Sequence, residues 1–302
     1  MLPDNVCVVH LVRRCNGLEI FERFISAYRN NEPGIDHRLL ILFKGFDSPE
    51  DLSRYRIMLS GLDYLELLVP DTGYDIGSYM MAFQAYHQKY QYFCFLNSYS
   101  EPLYRGWLAL LYRHASRPEV GLVGVTGSYQ SLYSDAEFEN YIYTRTLVYA
   151  RTLRPFKRVL IRAALTYIRF TRFPFFASFP NPHVRTNGFM LPTSVLLRVR
   201  AGKMRCKMDA YRFESGRQGL TPQVLRMGRK PVVVGADGAG YDIEDWYKSN
   251  TFRRANQENL LIADNQTRAY ADGDLKLKVS CSHHAWGDKA WPDVTTMQRQ
   301  IT

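Results

Sequence analysis

Two short polar loops carry residue types that could hold a ligand and act on it. The first, Asp71-Thr72-Gly73-Tyr74-Asp75-Ile76-Gly77, has two carboxylates and two glycines. The second, Asn97-Ser98-Tyr99-Ser100-Glu101, has an amide, three hydroxyls and a carboxylate. Asp71 and Asp75 can accept hydrogen bonds from a nucleobase or from ribose hydroxyls. Glycine lets a loop turn at positive φ and bring its backbone close to a ligand. The plainer reading is a pair of ordinary connections, because short loops with Gly and Pro join most α/β elements.

The flanking elements favour a shared crevice. Ser78 to Tyr90 lacks Gly and Pro and is expected to be a helix. Tyr92 to Leu96 (YFCFL) is a short apolar run that suits a strand covered on both faces. In an open α/β sheet, ligands bind outside the carboxyl ends of the strands. Both loops would lie there. So would Arg13 and Asn16, after the expected strand Asn5–Val12 (NVCVVHLV), and Lys44, after His37–Phe43 (HRLLILF). Solvated charge is the plainer reading of Arg13 and Lys44.

Further elements follow the same rhythm. Asn16, with Glu19 three residues on, is expected to cap a helix reaching about Arg29. Ser48-Pro49-Glu50-Asp51 reads as the start of another. Tyr64–Val69 and Val120–Val125 are further strands, with a helix from Pro102 to about Ser116 between the loops and the latter. Strands and helices alternate at spacings that need parallel crossovers, which predicts a Rossmann-like half. Beyond it, His183–Leu191 reads as a strand, Thr193–Val199 as a helix, Pro231–Val234 as a strand and 236–248 as an acidic, aromatic loop.

Residues 127–182 break the rhythm. Arg151 to Phe173 is basic and contains no acid. It reads as an amphipathic helix of the kind that lies on anionic membranes, or as a helix packed on the core with its arginines solvated.

The whole chain has 302 residues, net charge +10 and 14% aromatics, with 21 tyrosines. That favours anionic partners and surfaces that stack on rings. The cysteines at 7, 15, 94, 206 and 281 form no C-x-x-C pair, which suits a reducing compartment. No apolar run approaches a bilayer span, and no basic leader precedes a long apolar core. The expectation is a cytoplasmic protein, peripheral on the inner membrane face. No G-x-x-x-x-G-K-[ST] is present, and Asp237-Gly-Ala-Gly-Tyr241 lacks the strand-to-helix context of a dinucleotide fingerprint.

GYDIGSY, a buried strand and then FLNSYSEP resemble the nucleotide-sugar half of glycosyltransferases related to family 2. The G-x-D-x-G segment before an LN-containing strand end places the resemblance nearest the rhamnan-synthesis-type branch. It covers most of the first half and parts of the second. It implies an α/β chain of GT-A type: a Rossmann-type nucleotide-binding half with a mostly parallel sheet (1–126), a basic and aromatic helical insertion (127–182) and an acceptor-side half with a tail (183–302). The implied reaction moves a sugar from a nucleoside diphosphate to a hydroxyl of a glycan or lipid-linked glycan, with inversion. In the family an acid follows the acceptor-side strand and precedes a helix and a G-[RK]-x strand. TNGFMLP, FESGRQGLT and MGRKPVVV follow that order, which makes Glu214 the general base, although the usual acid pair is Glu-Ser here. An ordinary surface Glu before a turn is the plainer reading.

The same resemblance puts the diphosphate and its metal at an Asp-x-Asp position that reads Asn97-Ser98-Tyr99 here. Two carboxylates are missing, and hard cations want anionic oxygens. The leaving group then falls to Mn²⁺ or Mg²⁺ held with help from Asp75 and His283, or to Arg and Lys alone. Asn187, in Thr186-Asn187-Gly188, is placed near the donor sugar. Tyr241 and Trp246 either stack on an acceptor sugar or close the core. Two other classes stay open: a non-catalytic relative binding a nucleotide or glycan, and a basic nucleic-acid binder. The second lacks any recognisable nucleic-acid motif, so no nucleic-acid partner is expected.

Overall fold

A computed structural model of the chain describes residues 5–135 and 174–290, together with isolated positions between 159 and 170. The expected basic helix at 151–173 lies outside the described residues apart from those positions.

The first half alternates as expected: β1 (Val6–Arg13), α1 (Leu18–Asn30), β2 (Arg38–Lys44), α2 (Pro49–Met58), β3 (Tyr64–Val69), α3 (Tyr74–Tyr86), β4 (Tyr92–Leu96), a two-residue β5 (Glu101–Pro102), α4 (Trp107–Ala115) and β6 (Val120–Gly124). Next come β7 (Gly127–Ser128), β8 (His183–Val184), β9 (Gly188–Pro192), α5 (Thr193–Leu196), α6 (Lys207–Ser215), α7 (Leu220–Arg226), β10 (Lys230–Val234) and β11 (Gly240–Tyr241). A 3-10 turn at Ile243–Ser249 leads to β12 (Ile262–Ala263), α8 (Asn265–Ala271) and α9 (Leu275–Trp286).

Eight strands form one sheet in the order β11-β10-β6-β9-β4-β1-β2-β3. β1 pairs in parallel with β2 and β4, β2 with β3, and β6 with β10. β9 runs antiparallel between β4 and β6, and β11 antiparallel on β10. The result is a mixed α/β architecture around a large, mostly parallel sheet. The chain leaves β1 toward β2 and β3, then crosses back to β4 on the other side. That reversal opens a crevice at the carboxyl ends of β1 and β4.

Both faces are covered, which explains the continuous apolar runs. Val6, Val8 and Val12 pack with α1, α2 and α4 through Phe21, Phe24, Leu52, Trp107 and Leu111. Cys7, Val9 and Leu11 pack on the other face with Tyr79, Phe83, Leu196, Phe213, Val224 and Trp286. Among the described residues no helix is long and apolar enough to cross a membrane.

The structure changes several expected boundaries. Asn16 ends a 3-10 turn, and α1 starts after Gly17 at φ 80 with no side-chain cap. Ser48 does cap α2, accepting from the Asp51 amide at 3.3 Å. The expected single strand at 183–191 is broken at Arg185–Asn187, where the chain leaves the β7 pairing and enters the main sheet.

His10 is fully buried on β1, stacked on Phe24 at 3.4 Å between ring centroids, and neither ring nitrogen has a partner among the described residues. Burial lowers its pKa from 6.5 to about 3. The unfolded chain then binds a proton below pH 6.5 that the folded chain refuses, so stability falls as pH drops below that value. At pH 5 the loss traceable to His10 should be about 2 kcal/mol. Urea unfolding of the wild type and His10→Phe at pH 7 and 5 checks this; equal losses in both would contradict it.

Gly127 sits where a Cβ would lie 2.6 Å from the Trp246 ring and 2.9 Å from Val233. Gly127→Ala is expected to destabilise by about 1–3 kcal/mol through overpacking, read as a lower midpoint in the same unfolding assay.

Candidate functional site

The loops at the carboxyl edge do converge. Arg13, at the end of β1, forms a bidentate pair with Asp71 after β3, at 2.8 and 3.0 Å. The arginine lowers the Asp71 pKa. Across the crevice, Tyr99 Oη donates to Asn16 Oδ1 at 3.3 Å, tying the end of β1 to the loop after β4.

Lys44 is 2% exposed at the end of β2. Its ammonium donates to the carbonyls of Thr72 at 2.8 Å and Tyr74 at 2.5 Å, and to Ser78 Oγ at 3.2 Å. Those three bonds use its three protons. Lys44 therefore acts inside the fold, holding the Asp71–Gly77 loop, rather than as a free cation for a ligand. Burial lowers its pKa, opposed by the charges of Asp75 and Asp71.

That anchoring explains why α3 begins earlier than its sequence suggests. Gly73 (φ 73) and Tyr74 (φ 52) are both left-handed, so the chain swings directly into the helix at Tyr74. Asp75 falls in the first helical turn. Its carboxylate is half-buried and has no hydrogen-bond or ion-pair partner among the described residues. Burial raises its pKa; Lys44 and Arg13 oppose the shift, and Glu214 adds to it. Asp75 and Glu214 are therefore electrostatic neighbours.

Glu214 lies in the last turn of α6, not in a loop, and is half-buried. Its Oε2 accepts from the Thr186 amide at 2.8 Å and from Thr186 Oγ1 at 2.5 Å. Its other oxygen has no partner among the described residues. Thr186 lies in the break between β8 and β9, so the interruption of that strand is what positions the acid.

Glu214 lines a cavity of about 200 Å³ with Ser128, Gln130, His183, Arg185, Tyr211 and Arg253. His183 Nδ1 lies 2.8 Å from the Asn181 carbonyl, which makes Nδ1 the donor and leaves Nε2 as acceptor. Burial lowers the His183 pKa, against the charge of Glu214. His183, Arg185 and Arg253 escaped the sequence reading. A larger cavity of about 450 Å³ on the other flank of α6 is also basic, with Arg200, Lys203, Arg212 and Arg217. It does not contain Glu214, and its Arg212 is stacked on Phe175 at 3.6 Å.

The remaining expected residues divide. Asn97 Oδ1 accepts from the Tyr99 amide at 2.9 Å and Ser100 Oγ at 3.0 Å. Its lone pairs thus fold its own loop. Asn187 is 3% exposed; its Oδ1 accepts from Thr126 Oγ1 at 2.7 Å and its Nδ2 is buried without a partner among the described residues. Trp246 is fully buried, stacked near Tyr129 and donating to the Tyr241 carbonyl, so no ring face is left for a sugar and its place is the core. Tyr241 lies on the edge strand β11 with its hydroxyl committed to Asp237 at 2.7 Å.

No three His, Cys, Asp or Glu side chains gather to hold a metal among the described residues. Neither Asp75 nor His283, which is exposed on α9, belongs to such a group. With Asn97 Oδ1 also committed, the described residues offer no all-protein cage for Mn²⁺ or Mg²⁺; such an ion would need the substrate's own phosphate oxygens beside a carboxylate such as Asp75.

No family model and no curated protein matches the chain. Among solved structures, a mannosyltransferase from Pyrobaculum calidifontis in complex with GDP-Man and Mn²⁺ overlaps with a TM-score of 0.33 and 17% identity, covering 40% of this chain and 36% of that one. The overlap is partial, and the functional evidence is the chain's own geometry.

Proposed function

We propose that the chain is a glycosyltransferase that moves a sugar from a nucleoside diphosphate donor to a hydroxyl of a glycan or lipid-linked glycan. The observation that carries this reading is Glu214: one oxygen pinned by Thr186, the other open on a cavity wall at the carboxyl edge. A carboxylate so held is a fixed proton acceptor. The nucleotide would lie over the ends of β1 and β4, against Arg13, Asn16 and Asp71. The acceptor oxygen attacks the anomeric carbon while the carbon–oxygen bond to the diphosphate breaks. Glu214 takes the hydroxyl proton and the nucleoside diphosphate leaves with the bonding pair. Attack opposite the leaving group inverts the anomeric centre. The acid-free segment 151–173 suits contact with an anionic membrane face.

The test is release of nucleoside diphosphate from a panel of nucleotide sugars in the presence of polyprenol-linked and free glycan acceptors. The reading predicts release from one donor class, dependent on acceptor. No release from any donor would overturn it. A second reading, a relative that binds the donor without turning it over, is favoured by the Asn97 side-chain oxygen being committed within its own turn. It predicts nucleotide binding with no release.

A further inference from the structure

The structure assigns a phosphoryl-binding site to the cavity walled by Arg185 and Arg253. That the phosphoryl group is the donor's diphosphate rests on the function proposed above; the site itself rests on the geometry of the two arginines.

Arg185 is 6% exposed, at the break between β8 and β9. Its Nη2 reaches Asp264 at 3.3 Å, but its Nη1 is buried with no partner among the described residues. Arg253 donates to the side chains of Gln266 at 3.1 Å and Gln130 at 3.5 Å, and its Nε is buried without a partner among the described residues. Both guanidinium groups pack on the Phe252 ring, at 4.1 and 4.8 Å from its centre. A buried cation with idle N–H groups is costly unless something anionic completes it. Asp264 is committed to Arg185, and Glu214 to Thr186 through one oxygen. Burial and the neighbouring Arg185 charge lower the Arg253 pKa, as expected for two cations held close.

Backbone strain supports the placement. Five non-glycine residues have positive φ among the described residues: Tyr74, beside Asp75, and Asn250, Arg253, Ala255 and Gln257. Such conformations cost energy and persist where the surroundings enforce them. Four of the five shape the segment that presents Arg253. Arg268, on the same helix as the Gln266 that Arg253 reaches, donates to Glu101 at 2.7 Å and to the Tyr99 carbonyl at 3.3 Å in the loop after β4. Arg185 lies two residues before Asn187, whose carbonyl accepts from the Asn97 amide at 3.1 Å, so its segment stands beside that loop. The arginine pair would neutralise a leaving diphosphate by charge-assisted hydrogen bonds in place of a metal.

The test is titration with sodium pyrophosphate in EDTA, followed by melting temperature and calorimetry, in wild type, Arg253→Gln and Arg253→Lys. Wild type should bind and melt higher. Arg253→Gln should weaken binding at least about tenfold, and its unliganded melting temperature reports any loss of the Gln130, Gln266 and Phe252 contacts separately. Arg253→Lys should recover part of the affinity. Pyrophosphate binding unchanged in Arg253→Gln, or absent from wild type, would overturn the site. Nucleoside diphosphate competing with pyrophosphate in EDTA would identify the donor as the source. An alkyl diphosphate competing while nucleoside diphosphates do not would identify a lipid-linked acceptor and sink the donor reading alone. Nucleoside diphosphate that binds only with Mn²⁺ and without Arg253 would sink the arginine site alone.

Discussion

Glu214→Gln is expected to lower kcat by about 10²–10⁴-fold, the usual worth of a positioned general base, while leaving donor binding close to wild type. The amide keeps an oxygen that can still accept from Thr186, so the turn between β8 and β9 should stay in place. What it loses is the proton affinity of the other atom. Loss of kcat with an unchanged donor KM separates this role from a structural one, which would move both or lower the melting temperature. Thr186→Val is the informative companion. It removes the hydroxyl that pins Oε2 at 2.5 Å but keeps the backbone donor, so it should give a smaller fall in kcat with an intact acid. Near-normal turnover in Glu214→Gln would remove Glu214 from the chemistry.

Lys44→Met is expected to cost about 2–3 kcal/mol of stability, the penalty of leaving buried hydrogen-bond acceptors unpaired. It strands the carbonyls of Thr72 and Tyr74 and removes a positive charge that opposes the burial of Asp75, while Asp71 keeps its pair with Arg13. Methionine matches the stem in length and apolar character, so the loss reports the ammonium rather than a cavity. The Asp71–Gly77 loop should lose its fixed path, and nucleotide affinity should fall with it. Urea unfolding measures the first effect and nucleotide titration the second. Stability within about 0.5 kcal/mol of wild type would show that the loop holds itself.

These two residues also show how far sequence reading reaches. The strands of the first half were legible because a parallel sheet covered on both faces demands unbroken apolar runs, as in VCVVHLV and YFCFL. The carboxyl-edge crevice followed from their order. Lys44 was placed correctly at the end of β2, but its direction was not legible. The same Lys at a strand end either reaches for a ligand or turns back onto carbonyls, and only the path of the 72–78 backbone decides. That path depends on Tyr74 adopting a left-handed conformation next to Gly73, which tyrosine rarely does. The expected helix start at Ser78 missed it for that reason.

Glu214 was singled out through a family resemblance, and its helix was not foreseen. KMDAYRFES has weak amphipathic character, and the sequence assigns it no element. Arg185 and Arg253 are 68 positions apart, so no local pattern joins them. One signal was available: His183 and Arg185 alternate in a strand that is otherwise apolar beyond the Asn-Gly, placing two basic groups on one side of it. Trp246, left open between a sugar platform and the core, falls to the core. Gly127 leaves room for its ring there.

The most direct measurement of the central claim is the melting temperature of the purified chain with each nucleoside diphosphate and nucleotide sugar, in EDTA and again with Mn²⁺. A ligand that binds only the folded state raises that temperature. The account predicts a rise with one nucleoside diphosphate and its sugar conjugate, already present in EDTA. No rise with any nucleotide, in either condition, would contradict it.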